Sequence, residues 1–338
     1  MHNEDTRVKI PAILHLTRFG YKYFSLKDKS FEIDRTSNII NNVFRQQFLK
    51  INNLISNKGN EEIIDKILQE ISLELNQDDL GREFFNRLIG KGESSYQLID
   101  RKNFKNNSFH VCTELTCKNG ENEFRPDITV FVNGLPLSFI EVKKPNNPEG
   151  IKAERDRIAM RFQNTAFRRF INITQLLIFS NNMEYDDSGE DQLQGAFYAT
   201  ISKDSKVKFN NFREEHQSDF IDMMKKIEET DEDMILKDTN YITLKHSPEF
   251  KINKDHNTPT NRILSSLLSP DRFLSILYYG LTYVEEVDDA GNTVLQKHVV
   301  RYPQFFALKA MKNYISNGDK RGIIRHTGII KKNVWLKQ

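Results

Sequence analysis

The spacing of apolar residues predicts helices in the first quarter of the chain. Apolar positions recur every three to four residues over 40–55 and again over 63–71, the period that puts side chains on one face of an α-helix. A shorter pattern of the same kind covers 78–89. We therefore expect residues 8–90 to be mostly helical.

From about residue 108 the apolar period changes to two, which is typical of β-strands. Phe109, Val111 and Thr113 alternate with polar neighbours, and residues 127–132 and 137–142 form two β-rich runs around Asn133-Gly134, a strong hairpin turn signal. The later elements that we expect are a charged helix at 149–169 and short strands at 174–180 and 196–201. Helices and a mixed sheet together predict an α/β fold of the α+β type.

Composition narrows the class of protein but does not assign a function. The chain has 338 residues, 38% apolar and 28% charged, as in soluble globular proteins. The polar start and the lack of a long apolar segment predict a cytoplasmic protein. With a net charge of +2, any contact with nucleic acid requires a local basic cluster. We interpret Cys112 and Cys117 as strand residues rather than as a disulfide or zinc site.

A polar segment with two prolines, 246–261, is the best candidate for a linker. It divides the chain into residues 1–245 and residues 262–338, which we expect to be separate domains.

The most informative residues flank the predicted hairpin. Glu141 and Lys143 are two apart on a strand, so both project from the same face, and Asp127 opens the partner strand. Two neighbouring carboxylates can hold Mg²⁺, which prefers oxygen ligands and lowers the pKa of a bound water. Lys143 would then stabilise charge on a phosphate under attack. A simpler alternative is a salt bridge on a solvated face.

This site makes a demand on the turn. A plain two-residue loop pairs Val132 with Leu135, and counting back places Asp127 on the face away from Glu141. The two carboxylates meet only if the connection has an odd length. We therefore predict either a three-residue loop over residues 133–135 or a β-bulge.

The segment from Arg125 to Pro145 resembles the PD-(D/E)xK nuclease motif of type I restriction R subunits (HsdR). Residues 133–137, between the two halves of the motif, are characteristic of that family and more specific than the three charged residues alone. The resemblance implies a restriction-endonuclease-like core of a mixed sheet flanked by helices. It also implies that Asp127 and Glu141 are metal ligands and that Lys143 is the catalytic lysine.

The helix after the lysine departs from the family pattern. Many members have Gln-x-x-x-Tyr there, whereas this chain has Arg157 and Arg161 at that spacing. These two arginines and Arg168 are candidates for contacts with DNA phosphate, and a solvated basic face is the equally supported alternative. Further basic residues nearby are Lys152, Arg155 and Arg169. Many related nucleases use an additional acid on an upstream helix, for which Glu83 is a weak candidate.

The last block resembles the entry to the first RecA-like motor domain of R subunits. Residues 269–274 and 301–304 carry this resemblance, and Gln304 matches the glutamine that reads adenine, although alone it is only a polar residue near a helix start. Residues 322–327 resemble the strand before a phosphate loop, but residues 328–333 lack the second glycine and the Ser/Thr of that loop. We therefore expect no ATP hydrolysis from this chain and a nucleotide role for Gln304 that is vestigial.

The resemblance implies an Mg²⁺-dependent DNA endonuclease domain, with Mn²⁺ as a possible substitute. The expected partners are double-stranded DNA and the modification and specificity subunits of a type I complex, and ATP is a cofactor of the full-length family. The alternative is a catalytically silent fragment that only binds DNA or docks onto those subunits.

Overall fold

The period-two segments form a seven-stranded mixed sheet. In the computed structural model, the described residues are 4–91, 95–145, 150–186, 194–201, 207–214, 218–287 and 291–318. The sheet order is β1-β2-β5-β6-β7-β8-β9, with β1/β2 and β6/β7 parallel and the other neighbours antiparallel. Two further hairpins pair β3 with β4 and β10 with β11. The strands are β1 Lys22–Tyr23, β2 Phe109–Thr113, β3 Cys117–Asn119, β4 Asn122–Phe124, β5 Ile128–Val132, β6 Leu135–Val142, β7 Leu176–Ser180, β8 Ala196–Ala199, β9 Asn210–Asn211, β10 Leu281–Val287 and β11 Thr293–Val299.

Helices cover both faces of this sheet. They are α1 Ile10–Arg18, α2 Asn41–Ile51, α3 Lys58–Glu74, α4 Arg82–Leu88, α5 Gly150–Phe162, α6 Arg168–Ile173, α7 Ser218–Ile221, α8 Glu229–Asp238, α9 Pro248–Asn253, α10 Pro259–Leu268, α11 Pro270–Ser275 and α12 Tyr302–Ser316. Short π-helical turns occupy Asp5–Lys9 and Ile276–Gly280, and 3₁₀ turns occupy Phe104–Asn106, Thr165–Phe167 and Ile242–Leu244. The mostly helical start and the mixed sheet predicted from the sequence are confirmed.

The alternation along β6 separates two apolar layers. Ile140 and Val142 face the larger core, which contains α1 and α10, whereas Phe139 faces a smaller core with Ile151 of α5 and Phe170 of α6. Glu141 lies two residues from Phe139 and therefore points to the α5 side of the sheet. The packing of α5 thus decides what surrounds the predicted site.

Two expectations, one about the charged helix and one about the linker, need correction. The charged helix predicted at 149–169 ends at Phe162, because the Asn164 side chain accepts a hydrogen bond from the Ala166 N–H and starts a 3₁₀ turn. The predicted linker, 246–261, contains α9 and the start of α10. Its Phe250 is buried in the larger core together with Leu264, so this segment packs as part of the core instead of spanning a gap.

The assignment of residues 262–338 to the start of a motor domain stays a prediction, and the predicted approach to a phosphate loop, 322–333, lies outside the described residues. Cys112 and Cys117 are buried, unbridged residues of β2 and β3, as expected. Within the described ranges, no helix has the length and apolar content needed to cross a bilayer.

Candidate active site

The hairpin between β5 and β6 contains the predicted irregularity. Val132 pairs with Leu135 across a two-residue turn, so the three-residue loop is wrong. Phe131 then faces Pro136, while Val130 faces Ser138, which leaves Leu137 as an extra residue. This is a β-bulge, and the predicted bulge is confirmed. Beyond it the register places Asp127 opposite Glu141, because Ile128 pairs with Ile140.

The turn is fixed by its own two residues. Asn133 and Gly134 have φ values of 53° and 80°, the left-handed conformations that a tight hairpin turn needs. The Asn133 side chain accepts a hydrogen bond from Ser108 N at 2.8 Å and donates to Leu98 O at 2.9 Å. Gly134 O accepts a hydrogen bond from Ile40 N at 2.9 Å. The turn is thus anchored to neighbouring segments, which holds the register of the whole hairpin.

A third strand holds the bulge. Gln175, just before β7, donates its backbone N–H to Leu137 O at 2.7 Å. Pro136 has no N–H to donate, which is tolerated at an irregular position of a strand. The bulge is therefore supported from the β7 side and from the turn.

Asp127 and Glu141 form a carboxylate pair at the end of the hairpin. Asp127 Oδ2 accepts a hydrogen bond from Val142 N at 2.9 Å. Glu141 is 4% exposed, and its buried Oε1 has no hydrogen-bond partner. Burial raises the pKa of Glu141 well above its usual value, and the nearby charges of Asp127 and Glu154 raise it further. A buried carboxylate oxygen without a partner, next to a second carboxylate, is a suitable place for a cation.

The protein itself offers few ligands for such a cation. Among the described residues, no group of three or more His, Cys, Asp or Glu side chains is arranged to hold a metal ion. Mg²⁺ commonly binds through one or two carboxylates and keeps water and substrate phosphate in its other positions. The donor set therefore fits Mg²⁺ better than it fits a metal that requires a complete protein cage.

Lys143 follows directly after β6 and carries its ammonium toward two further acids. Its backbone N–H donates to Ser180 O at 2.8 Å. Its Nζ lies 3.0 Å from Glu154 Oε2 and 4.0 Å from Glu4 Oε2. Burial alone would lower the pKa of Lys143, but Glu154, Glu4 and Asp127 raise it above its usual value, so the ammonium stays charged.

Sequence reasoning missed both Glu4 and Glu154. Glu4 precedes the first helical turn, and its pKa is raised mainly by burial, while Lys143 lowers it and Asp127 raises it. Nothing in the pattern of residues around Glu4 pointed to the site. Glu154 had a readable signal, because it lies between Ile151 and Ile158 on the buried face of α5, where an acid is unexpected.

Glu83, the acid suggested from the sequence, lies elsewhere. It is an exposed residue of α4 whose backbone N–H donates to Asp79 Oδ2 at 2.8 Å, and its charge acts on Glu74. Glu4, in contrast, lies 4.0 Å from Lys143 Nζ and interacts electrostatically with Asp127.

The predicted basic face of the helix divides into two groups. Arg157 and Arg161 both interact electrostatically with Glu141 and Asp127, and the Arg161 guanidinium lies 4.7 Å from the centre of the Phe124 ring. Arg168, beyond the break in the helix, donates to Asn76 O at 3.3 Å.

The remaining basic candidates lie apart from the carboxylates or are simply exposed. Arg169 contacts Asn76 Oδ1 and Thr36 Oγ1, Arg155 pairs with Asp156, and Lys152 is exposed. The structure thus brings Arg157 and Arg161 to the site and leaves Arg168 outside it.

Gln304 caps the helix in which it lies. Its Oε1 accepts a hydrogen bond from Arg301 N at 3.1 Å, as part of a capping box at the start of α12. This contact accounts for a glutamine at the third position of a helix, and the adenine-reading ancestry inferred from the sequence stays a prediction.

Comparison with known proteins assigns the first half of the chain to a family. The model of the type I restriction enzyme R protein N terminus (HSDR_N) matches residues 1–186, which include the hairpin and α5. Among curated proteins, the putative type I restriction enzyme MjaVIIIP endonuclease subunit of Methanocaldococcus jannaschii is 27% identical over 187 residues, which are 54% of this chain and 16% of that protein. The MjaIXP endonuclease subunit of the same organism is 28% identical over 167 residues, 44% of this chain and 16% of that protein.

A third relative matches a shorter stretch more closely. The putative MjaVIIP endonuclease subunit, also from M. jannaschii, is 44% identical over 57 residues, 17% of this chain and 5% of that protein. The matched part of this chain corresponds to about 16% of the length of the first two relatives.

Proposed function

The chain belongs to the family of type I restriction enzyme R protein N termini, and on that premise we propose that it is the DNA-cleaving domain of such a subunit. It hydrolyses phosphodiester bonds with Mg²⁺, or Mn²⁺ in its place, held by Asp127 and Glu141. The curated relatives are described as endonuclease subunits, which supports this activity. The observation that carries the proposal is the bulge at Leu137, because it turns Asp127 to the same face as Glu141.

Each residue of the site has a chemical task in this reaction. When bound, the cation supplies an activated water and neutralises charge on the phosphate under attack. Lys143 keeps a charged ammonium next to the carboxylate pair, from which it can donate hydrogen bonds to a phosphate oxygen as negative charge develops. Glu4 adds a further carboxylate near Asp127, and its Oε2, 4.0 Å from Lys143 Nζ, limits the movement of the lysine.

DNA binding is assigned to the basic residues beside the pair. Arg161 and Arg157 interact electrostatically with Asp127 and Glu141. A phosphate bound at the carboxylate pair would therefore be attracted by both guanidinium groups. Contacts of this kind position the DNA backbone without reading its sequence. We therefore assign choice of target sequence to a specificity subunit, with which this domain and a modification subunit would assemble.

The test is cleavage of supercoiled plasmid in the presence of Mg²⁺, without ATP. The wild-type protein is expected to produce nicked and linear DNA, and Asp127→Ala and Lys143→Ala are expected to produce neither. Glu83→Gln is the matched control, since it changes an exposed acid of α4 and should cleave like wild type. If wild type and Asp127→Ala behave alike, the chain is a silent DNA-binding or docking fragment, which gel-shift and subunit pull-down assays would then characterise.

A further inference from the structure

Glu154 is a buried acid with no assigned task in the proposed reaction. It lies on α5 between Ile151 and Ile158, both of which pack into the smaller core, and its side chain is 2% exposed. A buried carboxylate is costly, and replacing a buried ion pair by apolar residues is often neutral or stabilising. Stability alone therefore does not explain why Glu154 lies on the buried face of α5.

The contacts of Glu154 are shared between two cations. Arg157 Nε donates to Glu154 Oε1 at 2.9 Å, and Arg157 Nη2 forms a short contact with Oε2. The same Oε2 lies 3.0 Å from Lys143 Nζ. Because Arg157 holds both oxygens from the helix itself, the orientation of the carboxylate is fixed before Lys143 is added.

The Lys143 side chain could adopt orientations other than the observed one. Its four-carbon stem is flexible, and the backbone hydrogen bond to Ser180 fixes only its base. Both members of the carboxylate pair interact electrostatically with the ammonium: Asp127 raises the pKa of Lys143, and Lys143 lowers the pKa of Glu141. Among the ion pairs within 4.0 Å in the part of the chain that is described, Lys143 nevertheless pairs with Glu154 and Glu4, and not with Asp127 or Glu141.

We propose that Glu154 is a positioning residue that holds the Lys143 ammonium beside the Asp127–Glu141 pair and prevents it from occupying the cation position. This inference rests on the proposed function. Without the Glu154 charge, Lys143 turns toward the acidic pair and competes with the divalent cation for the same carboxylate oxygens. Glu154 thereby keeps the metal ligands free and the lysine ready at the same time.

The experiment measures Mn²⁺ binding by electron paramagnetic resonance, together with plasmid cleavage, in a set of variants. Asp127→Ala identifies the Mn²⁺ that binds at the site. Glu154→Gln keeps the size and one acceptor oxygen of the side chain while removing its charge, and it is expected to weaken Mn²⁺ binding by roughly tenfold, as is common for groups just outside the ligand set. It should also lower kcat more than it changes KM for DNA.

The double variant Glu154→Gln/Lys143→Ala provides the decisive comparison. If the lysine is the competitor, removing it restores Mn²⁺ binding to the wild-type level, although cleavage stays lost. Asp156→Asn is the matched control on the same helix, since Asp156 also pairs with an arginine but is 57% exposed, and it should bind Mn²⁺ and cleave like wild type. Thermal unfolding checks that each variant is folded.

Several results would overturn the inference. Wild-type Mn²⁺ affinity in Glu154→Gln would mean that the acid serves only the fold. Weakened binding that Lys143→Ala fails to restore would mean that Glu154 acts on the cation directly. Mn²⁺ binding without cleavage in the wild type would refute the proposed function alone, because the binding comparison would still decide the role of Glu154. Absence of Mn²⁺ binding by the wild type would refute both.

Discussion

Replacing Glu141 by glutamine is expected to stabilise the metal-free protein at neutral pH. The Glu141 carboxylate is buried with one oxygen unpartnered, and burial together with Asp127 and Glu154 raises its pKa well above the usual value. A buried polar group left without a partner costs about 1–3 kcal/mol. Glutamine keeps a polar atom at that position but carries no charge, so the gain comes from removing the buried charge and its repulsion by Asp127 and Glu154. We expect about 1.4 kcal/mol of unfolding free energy for each pH unit over which only the folded wild type keeps its carboxyl group protonated.

The dependence on pH gives this prediction its sign. A group whose pKa is higher in the folded state binds more protons there than in the unfolded chain, so stability falls as pH rises above the unfolded value of about 4.3. The wild-type protein should therefore lose stability relative to Glu141→Gln as the pH increases from 5 to 8. At low pH, where the carboxyl group is protonated in both states, the difference should disappear.

Mg²⁺ should reduce the difference in stability between the two proteins. A ligand that binds only the folded state at ten times its Kd adds about 1.4 kcal/mol, or a few degrees in Tm, since about 2–4 °C corresponds to 1 kcal/mol in a domain of 150–250 residues. The wild type should gain this increment and Glu141→Gln should not. Thermal unfolding at pH 5 and pH 8, with and without Mg²⁺, measures all of these terms, with Glu83→Gln as the control.

Two results would refute the reasoning. If metal-free Glu141→Gln is less stable than wild type at pH 8, the carboxylate makes favourable contacts that the buried, unpartnered oxygen does not suggest. If Mg²⁺ stabilises both proteins equally, the cation binds somewhere other than at the Asp127–Glu141 pair.

Three further predictions concern the turn, the DNA surface and a buried lysine. Gly134→Ala should destabilise the protein in urea unfolding by more than about 2 kcal/mol, because a Cβ would lie 2.7 Å from Ile40 O at a φ of +80°. Gly120→Ala is the control: it has a φ of +60° but nothing within 4 Å, so it should cost only the backbone strain. Equal losses in the two variants would contradict the anchoring of the turn. Arg161→Ala should reduce the slope of log affinity against log salt concentration for duplex DNA by about 0.9, and Arg168→Ala should leave this slope unchanged. The opposite outcome would mean that the DNA binds at Arg168 and not at Arg161. Lys297 is 4% exposed, and burial lowers its pKa to about 7. The unfolded chain therefore binds more protons than the folded one up to about pH 10.4, so wild-type stability should rise between pH 7 and 10 relative to Lys297→Met. Parallel pH curves for the two proteins in chemical unfolding would show that the amine is not buried as described.

The fold and the site were predictable to different degrees. Period-two and three-to-four patterns predicted the strands and helices around the hairpin, and counting residues from the turn to Asp127 showed that an extra residue was required. The location of that residue at Leu137 was not predictable, because it depends on the hydrogen bond from Gln175, which lies just before β7 and far along the chain. The predicted linker failed for a similar reason, since a polar segment with one well-placed Phe250 is enough to join the core.

Two buried acids explain why the site is costly to the fold. Glu141 and Glu154 lie at positions where the neighbouring side chains of the same face, Phe139 and Ile158, are apolar and buried. Local patterns of apolar residues do not account for either acid, and conflicts of this kind are expected where a protein gives up stability for function. Glu141 is left with a buried oxygen that a cation would satisfy, whereas Glu154 is satisfied by Arg157 and Lys143. Removing the Glu141 charge should therefore stabilise the metal-free protein, while removing the Glu154 charge leaves two cations without their shared partner and should destabilise it, a difference in sign that the same unfolding measurements on Glu141→Gln and Glu154→Gln will test.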